Sequence, residues 1–146
     1  YKVKCNFFVT GSSSYPAFTA CLGVHDVTLG LDQTLVFDTI LTNIGGFYHA
    51  TTGIFTAPQD GIYVFHVSLM TLPGKDMYLY INKDGKNIDN VYSDGRNDTS
   101  VESVSETWIL SLEEGSEVWI AADSPGDVHG WCHSQFTGFL LHSTYV

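Results

Sequence analysis

Residues 37–67 read FDTILTNIGGFYHATTGIFTAPQDGIYVFHV, and the spacing of their aromatic and turn residues decides the fold. From Leu35 the chain alternates, with Leu35, Phe37, Thr39 and Leu41 on one side and Val36, Asp38, Ile40 and Thr42 on the other, which predicts a strand. Asn43 to Gly46 supplies turn residues, Ala50 to Pro58 is a β-rich segment bearing Phe55, and Pro58-Gln59-Asp60-Gly61 is a second turn. Gly61 to Leu69 then sets Tyr63, Phe65, Val67 and Leu69 on one face. Ile62 and Val64 are apolar on the opposite face, so something is expected to cover the back of this strand.

The same period of two runs outward in both directions. Pro16 to Gly23 places Phe18, Ala20 and Leu22 on one face and Thr19 and Cys21 on the other. Met77 to Ile81 is a strand closed by Asn82-Lys83-Asp84-Gly85, a hairpin signal. That turn carries some residues of a calcium loop but lacks the bidentate glutamate and flanking helices, so turn composition is the preferred explanation. Trp108, Leu110 and Leu112 lead into a tight turn at Glu113-Glu114-Gly115-Ser116, and Val118, Ile120 and Ala122 return. Ala122 to Ser134 reads as a long loop, and Gln135 to His142 as a last strand with Phe139 and Leu141 opposite Phe136, Gly138 and Leu140. No helical period persists, which predicts an all-β chain of about eight to ten short strands in a sandwich or jelly roll. Residues 1–15, interrupted by Gly11-Ser12-Ser13-Ser14, are expected to form an N-terminal extension to one domain over residues 16–146.

Composition narrows the function classes. The 146 residues are 44% hydrophobic, 14% aromatic and 15% charged, the profile of a globular chain rather than a disordered one. Sixteen acidic residues against six basic give a formal charge of −10, which repels a phosphate backbone and disfavours nucleic acid as a partner. Anionic membranes and polyanions meet the same repulsion, whereas neutral glycans do not. No apolar run approaches the roughly 20 residues that span a bilayer, and the first residues, YKVKCNFF, lack a long signal-peptide core, so any leader is expected to have been removed. The three cysteines, Cys5, Cys21 and Cys132, allow one intrachain bridge and leave one thiol free or interchain. Asn97-Asp98-Thr99 is an N-glycosylation sequon in a polar stretch, which suits an exported protein.

The register of Phe37, Asn43, Tyr48, Phe55, Gly61, Tyr63 and Phe65 resembles the signature of the C1q globular domain, a family within the tumour-necrosis-factor-like jelly rolls. Ala17-Phe18-Thr19-Ala20, Thr52 to Pro58, Leu112 to Gly115 and Phe136 to Leu140 extend the similarity over roughly residues 16 to 142. Val67 departs from it, standing where the family prefers an aromatic. No Gly-X-Y repeat is present, so the resemblance is to the stalkless type found in bivalves and other invertebrates. It implies a ten-stranded jelly-roll sandwich of two antiparallel sheets, assembled as a homotrimer with the Gly61 and Gln135 strands toward the threefold axis and Ile62 and Val64 at the interface. It also implies a secreted, lectin-like recognition protein of innate immunity that binds microbial polysaccharides through its loops. The competing expectation is a structural or signalling trimer that binds a protein receptor or matrix.

Candidate residues concentrate in two loops. Trp131 offers a ring for stacking on a sugar, with Asp127, His129 and His133 supplying hydrogen bonds, against the alternative that Trp131 packs on the sandwich edge. Asp94, Arg96 and Asn97 form a second candidate, which a glycan on Asn97 would obstruct. Calcium is known in the family and suits hard carboxylates, for which Asp94, Asp98, Asp123 and Asp127 are candidates beside the plainer reading of solvated loop aspartates. The run His129-Gly130-Trp131-Cys132-His133 also raises zinc, but adjacent Cys132 and His133 rarely chelate together and no second cluster accompanies them. The expected disulfide is Cys21 with Cys132, although the sequence does not determine connectivity. No nucleophile elbow, phosphate-cradling loop or zincin helix motif occurs, so no enzyme is expected.

Overall fold

The computed structural model describes residues 15–23, 25–97 and 99–144. Cys5, Asp98 and almost all of the expected N-terminal extension lie outside the described residues. The described residues form twelve strands: β1 (Ala17–Cys21), β2 (Val27–Leu29), β3 (Thr39–Ile44), β4 (Tyr48–His49), β5 (Ile54–Thr56), β6 (Gly61–Thr71), β7 (Asp76–Lys83), β8 (Lys86–Asp94), β9 (Glu102–Leu112), β10 (Glu117–Ala122), β11 (Gly126–Val128) and β12 (Gln135–Ser143). Ten of them form two five-stranded antiparallel sheets, ordered β3-β1-β12-β6-β9 and β4-β5-β10-β7-β8, and β2 with β11 makes a short separate ribbon. This is the jelly-roll sandwich that the sequence implies.

The core is the inner face of both sheets. Tyr63, Phe65, Val67 and Leu69 are fully buried, as their alternation on β6 requires. Phe18 stacks on Tyr48 with ring centroids 4.6 Å apart and meets Phe136 edge-on at 5.1 Å. Phe55 packs edge-on to Phe65 at 5.5 Å. Gly138 lies beneath this cluster, where a β-carbon would come within 2.5 Å of Phe18 and 2.7 Å of Phe65, so no side chain fits there.

Tyr48 explains why the opening stretch is so regular. Its hydroxyl donates to the Phe37 carbonyl at 2.9 Å, and the Asn43 side chain clamps the Tyr48 backbone from both sides, donating at 2.8 Å and accepting at 3.2 Å. Burial pushes the Tyr48 phenol well above its usual range, so it serves as a permanent donor. The clamp spans Gly45 and Gly46, whose φ values of 83° and 74° suit glycine.

The structure corrects the strand limits in three places. The ladder of the second predicted strand begins at Thr39, not Leu35, because Asp38 leaves it to accept the Gly23 N–H and a bulge interrupts the β1–β3 register between Thr19 and Ala20. Leu35 and Phe37 are buried, but Thr39 and Leu41 are exposed. Second, Lys86–Asp94 is a full edge strand, paired to β7 through the Asp84-Gly85 turn. Third, the predicted Ala122–Ser134 loop contains β11.

Candidate functional site

The loop after β11 is built on Asp26. Its carboxylate accepts from His129 Nδ1 at 2.6 Å and from the Gly130 N–H at 3.0 Å, which hold it below the ordinary carboxylate range, the backbone bond contributing most. Ser134 is fully buried, accepts the Met70 N–H at 3.0 Å and donates to the His129 carbonyl at 2.9 Å. Cys132 is joined to Cys21, with Cα atoms 4.9 Å apart, and its N–H donates to the Leu22 carbonyl at 2.8 Å. The loop is thereby tied to β1 both covalently and by backbone hydrogen bonds.

Within this frame Trp131 and His133 are exposed, while His129 is largely covered. Trp131 is 59% exposed, and both it and Cys132 adopt left-handed backbone angles, 57° and 58°, which residues with side chains rarely hold without enforcement. His25 meets the Trp131 ring edge-on at 5.3 Å. His129 and His133 stack in parallel at 4.8 Å. Asp127, on β11 two residues before His129, accepts from Thr28 Oγ1 at 2.6 Å and pairs with Lys75 at 3.4 Å.

The second candidate loop lies on the other side of Lys75. Arg96 grips Asp94 with two parallel bonds of 2.7 Å and stands 3.9 Å from Asp76. Asp76 and Asp94 are direct cross-strand partners, a like-charge juxtaposition that Arg96 relieves. Those bonds hold the Asp94 carboxyl far below its usual range. Asn97 is exposed next to them. The Lys75 carbonyl accepts the Gly95 N–H at 2.9 Å while its ammonium reaches Asp127, so the turn before β7 brings both predicted loops to one end of the sandwich.

The aspartates do not converge. Asp94 is committed to Arg96 and Asp127 to Thr28 and Lys75, while Asp123 is exposed on a separate turn. Among the described residues no group of three or more histidine, cysteine, aspartate or glutamate side chains is placed to hold a metal ion, and Asp98 lies outside them. Among the described residues, Asp94, Asp123 and Asp127 are not brought together. Sequence reasoning missed His25, Asp26 and Lys75, whose roles arise only when segments far apart in the chain meet.

The outer face of the first sheet carries the remaining candidates. Ile62 and Val64 are half-buried on β6, and the register places Val64 in one row with Ile109, Phe139, Ala17 and Ile44. Ile109, Phe139 and Ile44 are exposed, as is Leu141 nearby on β12, so among the described residues nothing covers this part of the face. The adjacent row is Thr107, His66, Thr137, Thr19 and Thr42, with hydrogen bonds of 2.9 Å from His66 to Thr107 and 3.0 Å from Thr19 to Thr137.

Two opposed five-stranded sheets with this strand order define a jelly roll of the tumour-necrosis-factor type. The globular domain of zebrafish complement 1qA has the same fold, with a TM-score of 0.74 at 20% identity over 88% of this chain and 99% of that one. Eiger, the tumour-necrosis-factor protein of S. frugiperda, follows with a TM-score of 0.71 at 10% identity, over 91% of this chain and 96% of that chain. The C1q domain profile matches residues 17–141, and the chain belongs to the C1q domain family. Human complement C1q tumor necrosis factor-related protein 3 is 35% identical over 134 residues, 88% of this chain and 52% of its own length. A Mytilus edulis protein named heavy metal-binding protein HIP is 30% identical over 135 residues, 89% of this chain and 62% of its own. This chain thus spans about half to three-fifths of these relatives. The family is non-enzymatic, typically trimeric and typically secreted, and calcium binding is frequent in it. The Cys21–Cys132 bridge is consistent with an oxidising, extracellular setting.

Proposed function

We propose that the chain is the recognition domain of a secreted, homotrimeric, lectin-like protein of innate immunity that binds microbial glycans through the end of the sandwich bearing Trp131. One observation carries the reading. Trp131 is held out into solvent by a left-handed backbone, a disulfide at the next residue and the Asp26 bonds, instead of folding onto the nearby core. A pre-ordered indole costs little entropy on binding and presents an apolar face to the C–H face of a pyranose. On this reading Asp127, His129 and His133 of the same loop region bond the hydroxyls, and the acidic chain favours neutral sugars.

Trimer formation through Ile62, Val64 and their exposed neighbours would raise the strength of such contacts by multivalency. The alternative partner, a protein receptor or matrix, has no comparable feature speaking for it.

A glycan array with and without chelator, run on the wild type and on Trp131→Ala, tests this. Binding to neutral microbial glycans that falls at least tenfold in the variant is expected; no binding on any glycan, with or without calcium, overturns it.

A further inference from the structure

The second sheet displays its own aromatic surface, on β7 and β8. Tyr78 and Tyr92 are direct cross-strand partners, stacked with centroids 4.1 Å apart and planes 20° from parallel. Tyr92 is 42% exposed on the edge strand although Tyr78 covers one face of its ring, so the free area is the opposite face and rim.

The surroundings of the ring are fixed and polar. The nearby Tyr78 hydroxyl and the Asp94 carboxylate raise the Tyr92 phenol far above its usual range, so it stays protonated. Arg96 locks Asp94 from the other side. Beyond Tyr78, Tyr80 lies nearly buried with its hydroxyl donating to Asp32 at 3.1 Å. Its cross-strand partner Asn90 has its amide oxygen engaged by Asn87 at 2.9 Å, which leaves the NH2 group to donate outward. Around Tyr92 the outer face therefore offers an aromatic ring, carboxylate acceptors and an amide donor, with Arg96 already engaged by Asp94.

We infer that the outer face of β7 and β8 is a second saccharide subsite, in which the open face of Tyr92 seats the pyranose ring of a neutral glycan while Asn90 and Asp94 bond its hydroxyls. The inference rests on the proposed glycan reading and assigns to it a contact separate from Trp131. Hydroxyl-rich sugars both donate and accept hydrogen bonds, which matches the mixed fringe, and their axial C–H groups match a tyrosine face. Asp76 and Asp94 outnumber Arg96, so anionic ligands are repelled. Stacking on Tyr78 already orders the Tyr92 ring, so little rotamer freedom is lost when a ligand arrives.

The test uses laminarihexaose and mannohexaose as probes, with tyrosine rings carbon-13 labelled in the wild-type chain and affinities measured for the wild type, Tyr92→Leu, Tyr92→Phe and Trp131→Ala. Ring resonances of Tyr78 and Tyr92 are expected to shift on titration. Tyr92→Leu should weaken binding about tenfold, while Tyr92→Phe, which keeps the stacking face, should lose about threefold or less. The labelled wild type needs no variant to fold, so the shifts stand alone as evidence. Binding that Trp131→Ala abolishes, with no tyrosine shift and no effect of Tyr92→Leu, overturns the subsite and leaves the glycan reading intact. No binding of either probe by the wild type, together with an empty array, overturns both.

Discussion

The two sheets share one core yet turn opposite chemistries to the outside. Across β9, β6, β12, β1 and β3 the outward row is Ile109, Val64, Phe139, Ala17 and Ile44, aliphatic groups apart from the Phe139 ring, which water solvates poorly. On β7 and β8 it is Tyr78, Tyr92, Asn90 and Asp94, rings with polar rims. A sheet face covered by a second copy can be apolar throughout, whereas a face that must stay soluble between ligand encounters needs both characters at once. On the proposed reading the difference separates an assembly surface from a recognition surface, although both are read from the same period of two.

The largest effect follows from breaking the aliphatic row. Val64→Asp is expected to convert a trimer to monomer in sedimentation velocity, because a carboxylate buried between copies has no partner. Tyr92→Asp should leave the trimer unchanged; dissociation by that variant instead would place the assembly surface on the second sheet. Next, replacing both Cys21 and Cys132 by serine removes a crosslink spanning 111 residues and should lower unfolding free energy by about 3 to 5 kcal/mol in chemical denaturation. That loss should also loosen the Trp131 loop while sparing the Tyr78–Tyr92 pair, which the bridge does not touch.

A smaller effect depends on pH. Because the folded Asp26 carboxyl titrates below its ordinary value of 3.8, its contribution is complete above that value and disappears as pH falls through the depressed one. Trp131 fluorescence should report the loop loosening in that acid range. Asp26→Asn should abolish the step, at a stability change under about 1 kcal/mol since the group is open to solvent. Finally, secretion from eukaryotic cells should add one glycan at Asn97, seen as a mass lost in Asn97→Gln with stability unchanged within about 0.5 kcal/mol, and that glycan, close to Asp94 in the chain, should weaken saccharide binding at Tyr92 relative to Asn97→Gln.

Much of the architecture was legible because buried alternation is a local property. Tyr63, Phe65, Val67 and Leu69 announce β6, and Asp84-Gly85 announces the β7–β8 hairpin, where both residues have positive φ, 52° and 86°. β8 itself was missed because its sequence, KNIDNVYSD, buries only Val91 and Ser93 and so lacks a visible apolar stripe. The tyrosine pair was hidden for a related reason: the register shift between Ile81 and Asn82 moves Tyr92 opposite Tyr78, a displacement no spacing rule announces. Of the loop site, the density of ring-bearing residues from His129 to His133 was visible. Its foundation was not, since Asp26 lies 103 positions from His129 and their hydrogen bond is purely tertiary.

The same register shift bears on where growth of an assembly stops. β8 is an edge strand whose backbone could template a further strand from another molecule, the first step toward an open fibre. Lys86, Asp89 and Asp94 stud it with both signs of charge, and the irregularity at Ile81 and Asn82 bends the ladder away from the straight geometry that such addition needs. Strand addition at this edge is thereby disfavoured.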